Sequence, residues 1–326
     1  MVEEGLPTAG KHRPRVTVAI PSYNGRHLLE TALPSLAAQS FRDFAVLVVD
    51  DASGDGTADW LGDRWPEVRL LALAENVGVT AALNTCIGES ETELVMLLNN
   101  DVELDPGCLG ALVRALDLHA QAGSAAPKLL DFHDREVLDG AGDVLTWAGS
   151  PARRGHGERD RGQYDSPGEI LGACGGAALY RRVAFSRVGL FDTQFFTYYE
   201  DSDWSLRAQL ANLSCRYVPE AIVYHMGSAT LGRESDFTRY HLWRNGIWLI
   251  AKDLPARSLL RHLPQLLYGQ LWNLGLAVRS RRLGLWASAW RDALRGLPGM
   301  LQQRRRVQAM RRISVRELER RIAGPS

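Results

Sequence analysis

Two acidic stretches carry side chains of the kind that hold a cation or take up a proton. The first is Asn99-Asn100-Asp101-Val102, which directly follows the apolar run Val95-Met96-Leu97-Leu98. Two amides and a carboxylate on a turn beside buried apolar residues lose solvation unless a ligand offsets the loss. Asp101 suits a hard divalent cation bridging a diphosphate, because Mg2+ or Mn2+ takes one or two carboxylates together with phosphate oxygens. A single carboxylate is a weak metal signal, and Asp101 with Asp105-Pro106 also reads as turn and helix-cap chemistry. The second stretch, Glu200-Asp201-Ser202-Asp203, follows the aromatic run 195–199 and precedes a helical pattern with Trp204 and Leu206 on its apolar side. A carboxylate placed there can serve as a general base toward a hydroxyl. The same residues can instead cap the helix and favour its positive end.

The elements around these stretches decide where they lie. Short β-branched or apolar runs predict strands at 16–20, 44–49, 68–72 and 93–98, and helical spacing predicts helices at 27–39, 57–64, 79–89 and 107–120. Such alternation implies right-handed crossovers and a mostly parallel sheet, an α/β layer structure of nucleotide-binding type. Ligands of open α/β sheets bind at the carboxyl ends of the strands. Pro21-Ser22-Tyr23-Asn24-Gly25 and the segment from Asp50 to Thr57 both fall there, as does Asp101. Tyr23 can face a base and Asp51 can accept its imino N–H, although 50–57 also reads as an Asx turn with an N-cap. No GxGxxG follows the first strand, which argues against a dehydrogenase-type dinucleotide site. Pro21 to Gly25 is equally unlike the phosphate-grasping loop a nucleotidyltransferase would need.

From about Ala125 the elements become shorter and Gly-rich, and 153–166 is polar enough to predict a mobile surface loop. The run 172–182, a helix at 203–211 and strands at 215–218 and 221–224 are expected to form the other wall of a cleft. Gly175-Gly176 lets backbone approach a ligand closely, or marks a strand bulge. Helices are predicted at 240–253, 256–279, 283–294 and 301–322, with no internal repeat.

At 326 residues and 45% hydrophobic content the chain fits one large domain, or one with an appendage, and not a disordered protein. Cys86, Cys108, Cys174 and Cys215 are scattered without ligand spacing, so they read as reduced core thiols. Residues 1–15 lack an apolar signal core, and a cytoplasmic location is the expectation. The net charge is zero but uneven: 255–326 holds fifteen arginines, no lysine and the acids Asp292, Glu317 and Glu319, about +12. Arg261, His262, Pro264, Gln265 and Gln270 interrupt any apolar window of about 20 residues, so an interfacial helix on an anionic membrane is expected rather than a span. Packing on the sheet domain or on a second subunit is the alternative, which leaves a homo-oligomer open, and nucleic acid is not an expected partner.

Taken in order, the Pro21-Ser22-Tyr23-Asn24 start, the segment 48–57, Glu75-Asn76-Val77-Gly78, Leu97 to Val102, Gly175 to Arg182, Gly189-Leu190-Phe191-Asp192, Phe195 to Arg207 and Pro219 to His225 resemble the inverting family 2 glycosyltransferases. The resemblance spans about 15–253 and is strongest to the rhamnosyltransferase-like branch. It implies a GT-A type nucleotide-binding sheet with helices on both faces at 15–253, after a flexible N-terminus at 1–14 and before a basic helical region at 254–326. It also implies that base and ribose lie against Pro21, Tyr23, Asn24 and Asp51, with Asn76, Asn84, Asn99 and Asn100 in the same donor site. Asp101 would coordinate Mg2+ or Mn2+ on the diphosphate and His225 would be a further ligand. Asn99 stands where the fuller motif has Asp, which lowers the site's charge. Asp201 would be the general base, Glu200 would orient the acceptor, and Gly175, Gly176 and Trp204 would line the sugar or acceptor pocket. The implied reaction takes a sugar from UDP or dTDP to a hydroxyl of a glycan or lipid-linked acceptor, cytoplasmic or at the inner face of the membrane. The competing expectation is a non-catalytic scaffold on the same fold in membrane-associated polysaccharide assembly. Convergence of Asp101, Asp201 and His225 on one cleft separates the two.

Overall fold

The computed structural model describes residues 5–7, 13–227 and 235–323. Strands β1 (Val16–Ser22), β2 (Phe44–Asp50), β3 (Arg69–Ala72) and β4 (Leu94–Leu98) alternate with helices α1 (Arg26–Ala37), α2 (Thr57–Arg64) and α3 (Val79–Glu89). Next come β5 (Val102–Leu104), α4 (Cys108–Leu118) and the long β6 (Ala122–Asp131). The short strands β7 (Leu138–Gly140), β8 (Asp143–Leu145), β9 (Pro151–Arg153) and β10 (Gly168–Ile170) lead to β11 (Ala177–Arg181). Helices α5 (Arg182–Val188) and α6 (Glu200–Leu210) flank a 3-10 turn at Thr193–Phe195, and β12 (Ser214–His225) completes the sheet. Five helices follow: α7 (Asp236–Asp253), α8 (Ala256–Arg261), α9 (Leu263–Arg279), α10 (Leu283–Ala309) and α11 (Val315–Ala323).

The main sheet runs β10-β12-β6-β11-β4-β1-β2-β3, with β5 on β12 and β7 on β6. β1 and β4 are buried along their whole length, as strands covered on both faces must be. Leu29, Leu33, Leu109 and Leu112 cover one face, while Leu83, Ile87, Phe185 and Trp204 cover the other. Leu6, within the stretch expected to be flexible, is buried in the first of these layers. The cysteines are free; Cys86, Cys108 and Cys215 are buried, and burial pushes the Cys215 thiol up to about 12.

Three expectations are corrected. The strands predicted at 215–218 and 221–224 are one strand, β12, whose parallel register on β6 shifts between Val218 and Ile222. β6 itself was not foreseen, because its Gly, Ala and Pro have little strand propensity and pairing with β12 and β11 overrides that. The segment 153–166 is strapped to the sheet rather than loose. Buried Lys128 reaches Asp160 at 2.8 Å and also pairs with Asp165, and Gly157 N donates to Leu138 O at 2.8 Å.

The basic region is continuous with the sheet domain. Trp248, Ala293, Met300, Val307, Leu318 and Ile322 form one cluster with Phe195, Leu206 and Leu210, and Trp248 Nε1 donates to Ala293 O at 2.9 Å. A Cβ on Gly296 would stand 2.5 Å from the Trp248 ring, so glycine permits this crossing. The helix predicted at 256–279 breaks at His262, whose ring stacks on Trp147 at 3.6 Å. α10 runs through Pro298, where a break was expected. Among the described residues, no helix is long and apolar enough to cross a membrane.

Candidate active site

Strand register gathers three chain segments at one edge of the sheet. Ala177 opposes Leu98, and the ladder extends as Asn99 N donates to Gly176 O at 2.9 Å. His225 opposes Val102, and Met226 N donates to Asp101 O at 2.9 Å. Asp101 and His225 are therefore neighbours, 6% and 8% exposed. Asp101 Oδ1 and His225 Nε2 lie 3.3 Å apart, and neither has a hydrogen-bond partner elsewhere among the described residues. Burial pulls the His225 pKa down, but Asp101 and Asp139 outweigh it and raise the value to about 9.

This pair fits a divalent cation. Two cis ligands of an octahedral Mg2+ sit about 3 Å apart when each bond is about 2.1 Å. Among the described residues no three His, Cys, Asp or Glu side chains are placed to hold one metal ion together, and an ion carried in on a diphosphate needs only one or two protein ligands. A Cβ added to Gly176 would approach His225 Nε2 to 3.5 Å, so the glycine keeps that nitrogen open.

The preceding glycine meets the second acidic stretch. Gly175 N donates to Asp201 Oδ2 at 2.9 Å and Ser202 N donates to Asp201 Oδ1 at 2.6 Å. Burial raises the Asp201 pKa against the pull of these N–H groups, although part of the residue stays accessible. The turn that delivers Asp201 is strained: Phe196, Tyr198 and Tyr199 have φ of 67°, 63° and 71°. One buried amide holds it, since Asn245 Nδ2 on α7 donates to Phe195 O, Thr197 O and Tyr198 O at 3.0, 2.8 and 2.7 Å. Behind Asp201, Asp203 is bound to Arg207 and, at 2.6 Å, to Lys252, so it anchors α6 and takes no part in the site. Asp143 lies close enough to Asp201 to feel its charge; burial and then Asp201 raise its pKa well above the usual range, and its Oδ1 has no hydrogen-bond partner among the described residues.

Burial, then Asp201, pushes the Glu200 carboxyl from 4.5 up to about 8. Between those values the folded chain keeps a proton that the unfolded chain has released, so this group lowers stability as pH rises through the window. Glu200→Gln is neutral throughout and is expected to remove that fall. Its unfolding midpoint relative to the parent should therefore rise from pH 5 to pH 8 in thermal scans. A constant difference would show that Glu200 ionises normally.

The donor-side loops are knitted together. Tyr23 is 45% exposed, Asn24 Oδ1 accepts from Gly54 N at 2.9 Å, and Asn100 Nδ2 donates to Ser22 Oγ at 3.0 Å. A Cβ on Gly25 would lie 2.1 Å from Asn100 Nδ2. Pro21 lies within β1. Asp51 accepts from Val77 N and Gly78 N at 2.7 and 3.0 Å, and Asn76 Oδ1 from Gly78 N at 3.2 Å, so these residues shape the loop that backs the cleft. Two expectations fail. Asn84 uses both ends of its amide on the backbone of Phe191, at 2.9 and 3.0 Å, and is not free to face a ribose. Trp204 is 1% exposed among Tyr180, Phe185 and Phe191, with Nε1 donating to Gly189 O, so it lines no pocket. Asp139, Asp143, Arg153 and Asn245 were not foreseen; only the close pair of acids in Leu138-Asp139-Gly140-Ala141-Gly142-Asp143 hinted at them.

Comparison with known proteins bears on the family and the fold. The family model described as Glycosyl transferase family 2 matches residues 17–189. The chain is 31% identical over 242 residues, 67% of its length and 77% of the relative, to a Mycobacterium tuberculosis protein named N-acetylglucosaminyl-diphospho-decaprenol L-rhamnosyltransferase. It is 31% identical over 234 residues to an N-acetylglucosaminyltransferase of Mesorhizobium japonicum, covering 67% of this chain and 53% of that one. Among solved structures, S. aureus TarS 1-349 superposes with a TM-score of 0.58 at 18% identity, covering 95% and 90% of the two chains. The mannosyltransferase PcManGT from Pyrobaculum calidifontis, solved with GDP-Man and Mn2+, gives 0.56 at 19% identity over 99% and 91%. These neighbours are GT-A glycosyltransferases, and the chain shares their fold.

Proposed function

Because this chain belongs to glycosyl transferase family 2, we propose that it is an inverting enzyme that moves a sugar from UDP or dTDP to a hydroxyl of a glycan or lipid-linked acceptor. The observation that carries this reading is the Gly175-Gly176 backbone, which touches Asp201 on one side and approaches His225, the neighbour of Asp101, on the other. A base and a charge-stabilising pair on either side of two residues without side chains suit a single displacement, in which one bond to the anomeric carbon forms as the other breaks. Asp201 accepts the proton of the attacking hydroxyl. Glu200, protonated below about 8, donates to the acceptor and orients it. Asp101 and His225 would hold Mg2+ or Mn2+, which when bound stabilises the negative charge of the departing nucleoside diphosphate. Tyr23 offers its exposed ring to the base, and Pro21, Asn24, Asp51, Asn76, Asn99 and Asn100 enclose it.

The likeness to the decaprenol-linked rhamnosyltransferase makes an L-rhamnosyl donor and a polyprenyl-diphosphate-linked acceptor the first pair to try. Incubation of donor, acceptor and Mn2+ with the protein is expected to give a glycoside of inverted anomeric configuration by NMR. Retained configuration would contradict the single displacement.

Such an acceptor favours docking on the inner face of an anionic membrane. α9 buries Leu266, Gly269 and Ala277 but exposes Leu263, Leu267, Tyr268, Leu271 and Trp272, the last 64% accessible, with exposed Arg257, Arg279 and Arg281 nearby in the chain. The protein is expected to float with phosphatidylglycerol vesicles and Leu271→Glu with Trp272→Glu to abolish this. A parent protein that stays with the soluble fraction would refute membrane docking.

A further inference from the structure

We propose that Asp139 is the residue that makes His225 a metal ligand, by accepting from Nδ1 and so turning Nε2 toward Asp101. This rests on the reading of Asp101 and His225 as the cation pair. Asp139 lies on β7, and its Oδ2 is 2.7 Å from His225 Nδ1. Arg153 Nη1, from β9, pairs with the same oxygen, and the His156 ring nitrogen Nδ1 lies 2.9 Å from Asp139 O. A carboxylate bound by a guanidinium is an acceptor only, so the proton between it and His225 sits on Nδ1. A neutral imidazole protonated at Nδ1 presents its lone pair at Nε2, the form a cation needs. That nitrogen faces Asp101 Oδ1 at 3.3 Å, and neither atom has a hydrogen-bond partner elsewhere among the described residues.

The fold brings this support together from separate segments. β7 pairs with β6, which runs parallel to β12, and this brings Asp139 behind the strand end that carries His225. The polar segment after β9 folds back over Asp139, where the His156 ring reaches its carbonyl oxygen, and Arg153 at the end of β9 is partly buried. Asp139 thus acts through His225 as a positioning residue.

The test measures Mn2+ affinity by EPR in protein saturated with UDP and, in parallel, with dTDP. Asp139→Asn is expected to weaken Mn2+ binding by about 10- to 100-fold, the usual loss when an outer-shell partner is removed, while metal-free nucleotide affinity stays unchanged. Asp139→Asn binding Mn2+ as tightly as the parent would overturn the proposal. His225→Gln separates this from the parent reading: if it too leaves Mn2+ affinity intact, His225 is no ligand and both fall. Parent protein labelled with 15N at histidine gives a readout that needs no variant at Asp139. With Mg2+ and the nucleotide bound, the signals lost in His225→Gln are expected to show Nδ1 protonated and Nε2 bare. A proton on Nε2 in that state would refute the role of Asp139.

Discussion

Asp201→Asn is expected to lower kcat by about 10^2- to 10^4-fold, the range a positioned general base supplies, while nucleotide affinity changes little. The substitution keeps size and shape but removes the charge that takes up the acceptor proton. It also meets two backbone donors, Gly175 N and Ser202 N, with a side chain that can accept at one end only. A small local cost is therefore expected, and calorimetric titration with UDP or dTDP shows whether the cleft survives it. Retained turnover would remove Asp201 from the mechanism. Loss of nucleotide binding along with turnover would instead mean that Asp201 builds the donor site.

Asp101→Ala is expected to abolish the metal-dependent part of nucleotide binding. Asp101 is the charged member of the pair, so the loss should exceed the roughly 10- to 100-fold typical of an outer-shell residue. Asp101 also faces His225 at 3.3 Å and helps to raise its pKa, so the variant is expected to lose some stability, and a thermal scan checks that it still folds. Nucleotide affinity with Mn2+ equal to that of the parent would exclude Asp101 from cation binding.

The sequence carried much of this arrangement because short-range patterns control it. β1, β2 and β4 are apolar runs ending in polar turns, and their carboxyl edge had to hold Tyr23, Asp51 and Asp101. The second half was less legible for physical reasons. β6 is strand by virtue of its partners, not its composition. Asp139 reaches His225 across 86 positions of sequence, and Asn245 holds the turn before Asp201 from about 48 positions away; no periodicity encodes such contacts. Trp204 misled because an aromatic beside an acidic motif suits a sugar pocket as well as a core, and only packing against Tyr180 and Phe185 decides between them. The strain at Phe196, Tyr198 and Tyr199 also leaves no mark in composition, since aromatic residues rarely adopt positive φ.

The central claim, a metal-assisted nucleotide-sugar site at the edge of this sheet, is tested most directly by titrating the protein with UDP, dTDP, GDP and ADP, each with and without Mn2+ or Mg2+. Binding of UDP or dTDP that strengthens with the cation, and loses that gain in Asp101→Ala, is the expected result. Failure of every nucleotide to bind, with or without metal, would contradict it.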